Sequence, residues 1–310
     1  MTDGVTMRDV RPVEPVTAAE LLDMELPPRE TLLAPVIPAG GLVLLYGPRG
    51  MGKTFVGLSI AYAVASGGPA LRWRAPKPRR VLYLDGEMPA ATLQERLRRI
   101  VLGSVWQPPE DDFLRFLPAD LFEMGLPNIA SEEGRALLER HAKGVDLVIL
   151  DNLSCLASGM RENEADDWQP MQDLLLRLRR AGVAVLVIHH AGKGGQQRGT
   201  SRREDVMDTV IALRRPEDYD PQQGARFAVH LEKARGVMGE AAAPFEAQLI
   251  AAPDGGLAWH VADLATAQRD RARALLAEGL SVREVAEETG LSKSAVGRIR
   301  RAGGGDDARH

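Results

Sequence analysis

Short, unbroken apolar runs recur along the chain: Leu42 to Tyr46, Val81 to Leu84, Leu147 to Leu150, Val183 to Ile188, Thr209 to Leu213 and Phe227 to Leu231. Segments with helical spacing of apolar positions separate the first four: Lys53 to Ser66, Ala90 to Leu102, Glu132 to Ala142 and Ala165 to Arg180. Runs of four to six leucine or β-branched residues without polar alternation are the mark of strands covered on both faces. Alternation of such strands with helices predicts an α/β fold with a mostly parallel central sheet. After residue 205 strands follow one another with little helix, which predicts antiparallel additions at one edge.

The segment Gly47-Pro48-Arg49-Gly50-Met51-Gly52-Lys53-Thr54 lies between the first strand and the first helix and fits G-x-x-x-x-G-K-[ST]. Glycines let successive backbone N–H groups converge on one phosphate, at the positive end of the helix that follows. Residues Gly47 to Phe55 are therefore the candidate nucleotide-binding loop, with ATP or another NTP as ligand. Lys53 is expected to neutralise the β- and γ-phosphates and Thr54 to ligate Mg²⁺. Asp151, at the C-terminal end of a strand, is the expected second magnesium anchor, because open α/β sheets present ligand contacts there. Another strand ends in Asp85-Gly86-Glu87, and a carboxylate there can orient or deprotonate an attacking water.

Length and charge refine the organisation. The 310 residues suffice for one large domain and one small one. Net charge is only −4, but residues 1–264 carry 30 Lys/Arg against 36 Asp/Glu, whereas 265–302 carry 8 against 5. An acidic body thus bears a basic appendage. The expected division is an N-terminal arm over 1–30, an ATPase core over 31–255, a linker over 256–265 after the turn-rich Pro253-Asp254-Gly255-Gly256, a helical domain over 266–302, and a disordered tail over 303–310. One cysteine, Cys155, leaves no internal disulfide, and no apolar run approaches the roughly 18 residues of a membrane span. With no signal-peptide core either, the expectation is a cytoplasmic protein without a membrane partner.

In the basic appendage, Ser281-Val282-Arg283-Glu284 is a capping box, Gly290 makes a turn, Ser292 caps a second helix, and Val296 and Ile299 share one face of it.

The set formed by Gly47 to Thr54, Asp85-Gly86-Glu87, Asp151-Asn152 and Ile188-His189-His190-Ala191-Gly192-Lys193 resembles the RecA-like P-loop ATPases. Within them it is similar to the hexameric replicative helicases, especially the small plasmid RepA-type and the AAA family ATPases of phages and mobile elements. The likeness spans about residues 17–250. It implies a DNA-acting, Mg²⁺-dependent ATP hydrolase that forms a homo-hexamer and serves as a helicase or helicase-like replication factor. It implies Glu87 as catalytic base and His190, with His189 as the near alternative, as sensor of the γ-phosphate. It further implies that Lys233 and Arg235, in Lys233-Ala234-Arg235, reach a neighbouring subunit's nucleotide. The loops at 158–163 and 193–199, the second with Lys193 and Arg198, would line a channel for single-stranded DNA. The appendage resembles the helix-turn-helix of resolvase-type and sigma-factor-type proteins, which would turn Lys293, Ser294, Arg298, Arg300 and Arg301 toward a duplex. An ATP-switched DNA-binding regulator without unwinding activity and a recombinase-like filament ATPase remain open alternatives. A small-molecule kinase leaves the basic appendage unexplained.

Overall fold

The computed structural model describes residues 14–26, 28–159, 165–191, 202–216 and 218–303. They fall in two units. The first, up to Glu30, holds one short helix, α1 (Ala18–Asp23), whose Thr17–Glu20 capping box satisfies its first turn.

The second unit begins at Thr31. A small hairpin, β1 (Thr31–Leu33) and β2 (Ile37–Pro38), leads into β3 (Leu42–Gly47) and α2 (Lys53–Ser66). A second small hairpin follows, β4 (Pro69–Ala70) and β5 (Trp73–Arg74). Next come β6 (Val81–Asp85), α3 (Ala90–Leu102), β7 (Leu114–Pro118), α4 (Glu132–His141) and β8 (Leu147–Asp151). Then follow α5 (Leu153–Leu156), α6 (Ala165–Arg180), β9 (Ala184–His190), α7 (Arg202–Asp205) and β10 (Thr209–Arg214). Three antiparallel strands complete the sheet: β11 (Arg226–Ala234), β12 (Phe245–Ala251) and β13 (Leu257–Asp263). Helices α8 (Leu264–Ala277), α9 (Val282–Thr289) and α10 (Lys293–Gly303) end the described chain.

Nine strands form one sheet in the order β13-β12-β11-β10-β3-β9-β8-β6-β7, parallel from β10 to β7. The unalternating apolar runs have the reason their pattern implied, since both faces are covered. Val43 and Leu45 of β3 join one core with α2, whereas Leu42, Leu44 and Tyr46 join the opposite core with α6. Gly57 lets α2 lie directly on the sheet: a Cβ there would come within 2.6 Å of Ile188 and 3.0 Å of the Tyr83 hydroxyl.

Two features depart from the sequence expectation. β7 was not anticipated; it is an edge strand, only partly buried, with Arg115 facing solvent. The stretch expected as a linker is β13, paired in full register with β12 from Phe245↔Asp263 to Ala251↔Leu257. The turn-rich residues before it merely close that hairpin, with Ala252 N donating to Gly256 O at 2.8 Å. The sheet therefore runs to Asp263 and α8 starts at once.

Helices α8, α9 and α10 pack around Ala272, Leu275, Val285 and Val296. Arg226, buried on β11, holds Glu246 through two hydrogen bonds of 2.8 and 3.0 Å and Asp218 at 3.0 Å. Asp218 also meets Arg271 of α8 at 2.5 Å. Two arginines sharing one carboxylate thus join the helical end of the chain to the sheet; a pair this far from water depends on such complete partnering.

Candidate functional site

In an open sheet of this type the switch in strand order leaves a crevice at the carboxyl ends of the strands. Here β3 is flanked by β10 and β9, and the ends of β3, β9, β8 and β6 bring Gly47, His190, Asp151 and Asp85 into one neighbourhood. The last three border a cavity of about 440 Å³ lined by Gly50 to Phe55, Asp85, Glu87, Arg96, Asp151, Asn152 and His190, among others.

The loop after β3 needs its glycines. Gly50 has φ +71° and Gly52 φ +96°, and a Cβ on Gly52 would stand 2.7 Å from that of Ala225. Gly52→Ala is expected to lower stability by about 1–3 kcal/mol and to abolish nucleotide retention, as read by thermal unfolding and by binding of a fluorescent ATP analogue. Met51 is buried and anchors the loop in the core beside α2. Pro48 is half-buried and Arg49 exposed, and neither borders the cavity, although Arg49 adds positive charge near Lys53.

Lys53 opens α2 and is buried, its Nζ donating to Gly47 O at 2.9 Å and Pro48 O at 2.7 Å. Burial pulls its pKa down to about 8, opposed by the charges of Asp151 and Glu87. Asp151 is buried at the end of β8, where Tyr83 donates to its Oδ2 at 2.6 Å and Thr54 also hydrogen-bonds to it. Burial raises the Asp151 pKa and those two hydrogen bonds oppose the rise. A hydroxyl beside a carboxylate at the foot of a phosphate loop is the hard-oxygen donor set that magnesium takes when it completes its shell with phosphate and water. Thr54 and Asp151 fit that ion.

The two acids after β6 have different duties. Asp85 is buried, and its Oδ1 accepts from Glu87 N at 3.1 Å and Met88 N at 2.7 Å. Burial lifts its pKa to about 6, with those backbone hydrogen bonds opposing and the Asp151 charge adding. Asp85 shapes the turn. Glu87, by contrast, has a side chain 59 % exposed at the cavity. Its Oε2 accepts a hydrogen bond from Asn152 Nδ2 and lies 3.7 Å from His190 Nε2. Asn152 Nδ2 is also 3.2 Å from His190 Nε2, while Asn152 Oδ1 accepts from Cys155 N at 3.2 Å. The amide is thereby fixed with its nitrogen toward both partners. Burial and then the Lys53 charge lower the His190 pKa, so near neutrality the imidazole is uncharged, with Nε2 accepting from Asn152. His189 points to the other side of β9, with Nδ1 3.4 Å from Ser154 Oγ, because successive strand residues face opposite ways.

Among the cavity residues that the sequence reading gave no role, two carry polar groups aimed at the chemistry, Asn152 and Arg96. Asn152 joins Glu87 to His190, and its signal was only an amide following the Asp151 strand. Arg96 of α3 places its guanidinium 4.7 Å from the centre of the Phe55 ring, and no carboxylate pairs with it among the described residues. A cation so placed is open to an anionic ligand in the cavity. Arg96→Ala is expected to weaken ATP binding by about tenfold, the size of one charge-assisted contact, measured by titration calorimetry.

Lys233 and Arg235 are not at this cavity. Arg235 N donates to Asp208 O, and Asp208 N to Leu42 O, so Arg235 lies level with the start of β3, while Lys233, paired with Val210, lies level with Leu44. Those levels are about five and three residues from Gly47, roughly 16 and 10 Å along the strand. The Lys233 ammonium donates to backbone oxygens of α7, at Glu204 and Asp205, and Arg235 is 55 % exposed. Neither residue lines the cavity at Lys53 within one chain. Lys193 and Arg198 fall outside the described residues. In the C-terminal helices Ser281 and Glu284 form their capping box, Gly290 turns at φ +68°, and Lys293, Ser294, Arg298, Arg300 and Arg301 are all exposed. No helix among the described residues is long and apolar enough to cross a membrane.

Comparison with known proteins agrees with this geometry. The family model described as an AAA domain matches residues 9–196. The DNA repair protein RadA of Synechocystis is 25% identical over 200 residues, covering 63% of this chain and 35% of RadA. The chain thus spans about a third of that relative's length. A KaiC-like protein from the hyperthermophilic archaeon Pyrococcus horikoshii superposes with a TM-score of 0.51 at 17% identity, covering 75% of this chain and 98% of the other. At that identity the likeness is one of fold, the RecA-like α/β architecture.

Proposed function

The chain belongs to the AAA domain family, and from that premise we propose a magnesium-dependent ATPase that acts on DNA as a ring, a replicative helicase or helicase-like replication factor of a plasmid, phage or mobile element. One observation carries the reading. Lys53, Thr54, Asp151 and Glu87 gather at one cavity, while the cationic pair Lys233 and Arg235 lies outside it, with Arg235 level with the opposite end of β3.

In this reading the backbone N–H groups of Gly50 to Thr54 cradle the phosphates, and Lys53 turns from the carbonyls of Gly47 and Pro48 to the β- and γ-phosphate oxygens. Magnesium held by Thr54 and Asp151 would neutralise charge shared by those oxygens. The exposed carboxylate of Glu87 orients the attacking water and accepts its proton. Asn152 holds that carboxylate in place and ties it to the neutral His190, which is positioned to report whether the γ-phosphate is present. Arg235 of the partner subunit supplies positive charge that offsets the negative charge developing on the phosphoryl oxygens in the transition state.

Support for DNA as the object comes from the RadA likeness and from the basic, exposed surface of α10. Turnover measured with and without single-stranded DNA, beside unwinding of a forked duplex, tests this. Stimulated turnover with unwinding is the expected result. ATP-dependent duplex affinity without unwinding would replace the helicase by the nucleotide-switched regulator.

A further inference from the structure

The groove between α8 and α10, about 390 Å³ in volume, has an apolar floor of Leu291, Ala295 and Ile299. Its rim carries Arg269 and Arg273 from α8 and Arg298 from α10. Arg273 is paired with Asp270. Arg269 and Arg298 have no carboxylate partner among the described residues. Such a groove fits a short segment that is both apolar and acidic.

This chain possesses one. Residues 14–26, Glu14-Pro15-Val16-Thr17-Ala18-Ala19-Glu20-Leu21-Leu22-Asp23-Met24-Glu25-Leu26, hold four carboxylates and no Lys or Arg. Helix α1 within them buries none of its residues, and Leu22 is 84 % exposed, with Leu21 and Leu26 also open to solvent. We propose that residues 14–26 of a second copy of this chain dock in the α8–α10 groove, leucines on its floor and carboxylates on its arginine rim. A second apolar groove, between α3 and β7 around Leu93, Leu97 and Phe116, is the rival seat, but its flank presents Asp120 rather than arginine. Charge decides between the two.

Two consequences follow. A segment of one copy inserted into a different surface of the next is a head-to-tail contact, which propagates into a ring or a filament. Docking also covers Arg298, one of the side chains that the α10 surface would turn to a duplex, so duplex DNA and the neighbour's segment compete for it. This goes beyond the ATPase reading and does not depend on it.

The test is disulfide capture between two full-length chains in a Cys155→Ser background, one carrying Leu22→Cys and the other Ala295→Cys. Only a contact between copies can join them. The expected result is a dimer band under mild oxidation that falls at least about fivefold in 0.5 M salt, where screening shortens to a few ångströms. It should also fall with Asp23→Arg and return when Arg269→Asp is placed in the other chain. Exposed Gln268, on the groove's edge, serves as a second cysteine position should Ala295→Cys fold poorly. No band at either position, or capture by Ala91→Cys in the α3–β7 groove instead, overturns the proposal.

Discussion

Replacing Glu87 by glutamine is expected to lower ATP turnover by about 10²–10⁴-fold while nucleotide affinity stays within about threefold of the unaltered protein. Glutamine keeps the shape of the side chain and still accepts a hydrogen bond from Asn152, so the cavity and the Lys53 contacts survive. What it loses is the capacity to accept the proton of the attacking water. The nucleotide should therefore be bound and not hydrolysed, which a binding titration run beside a phosphate-release assay separates. Equal loss of binding and turnover would mean that Glu87 supports the fold of the cavity rather than the reaction. Asp85→Asn makes the contrast: buried and engaged with Glu87 N and Met88 N, it acts through the turn that carries Glu87.

Arg235→Ala is expected to be as damaging, lowering turnover by about 10³-fold or more, the range seen when an arginine that stabilises phosphoryl transfer in trans is removed. The argument is positional. Arg235 is exposed at the start of β3, whereas its own chain's nucleotide loop begins at the strand's other end. In the proposed function an arginine so far from its own site would contribute to hydrolysis through a second copy. Binding of ATP by the variant chain alone should stay close to that of the unaltered protein, since Lys53, Thr54 and Asp151 are untouched. Loss of binding would place the arginine's effect in folding, through its contact with Asp208.

How far the sequence carried these conclusions varied with burial. The parallel strands were legible because both faces of β3, β6, β8 and β9 are covered, so their apolar runs are unbroken. The phosphate loop was legible because its glycines, lysine and hydroxyl are each demanded by one ligand. Strand β7 escaped because an edge strand is half-exposed and reads Leu-Arg-Phe-Leu-Pro, with neither a clean alternation nor a β-branched run. Strand β13 reads as a linker because a Gly-Gly turn precedes it and His260 breaks its apolar pattern; its pairing with β12 is a tertiary fact. The choice of His190 over His189 rests on strand parity: His190 shares the face of Ile188, which packs toward α2, and His189 that of Val187 on the other side. Arg96 is one of three arginines on α3, and only the packing of that helix against Phe55 distinguishes it from Arg98 and Arg99.

The central claim is a hydrolytic site completed by two copies, and the most direct measurement is ATP turnover in mixtures of Glu87→Gln and Arg235→Ala chains. Each alone should be nearly inactive. Mixed together, some contacts pair an intact Glu87 cavity with an intact Arg235 from the partner subunit, and turnover should recover to roughly a quarter of the unaltered rate in an equal mixture, if chains assort at random and each site contributes independently. No recovery, in chains shown to exchange by solution mass and to bind ATP, would contradict a site shared between subunits.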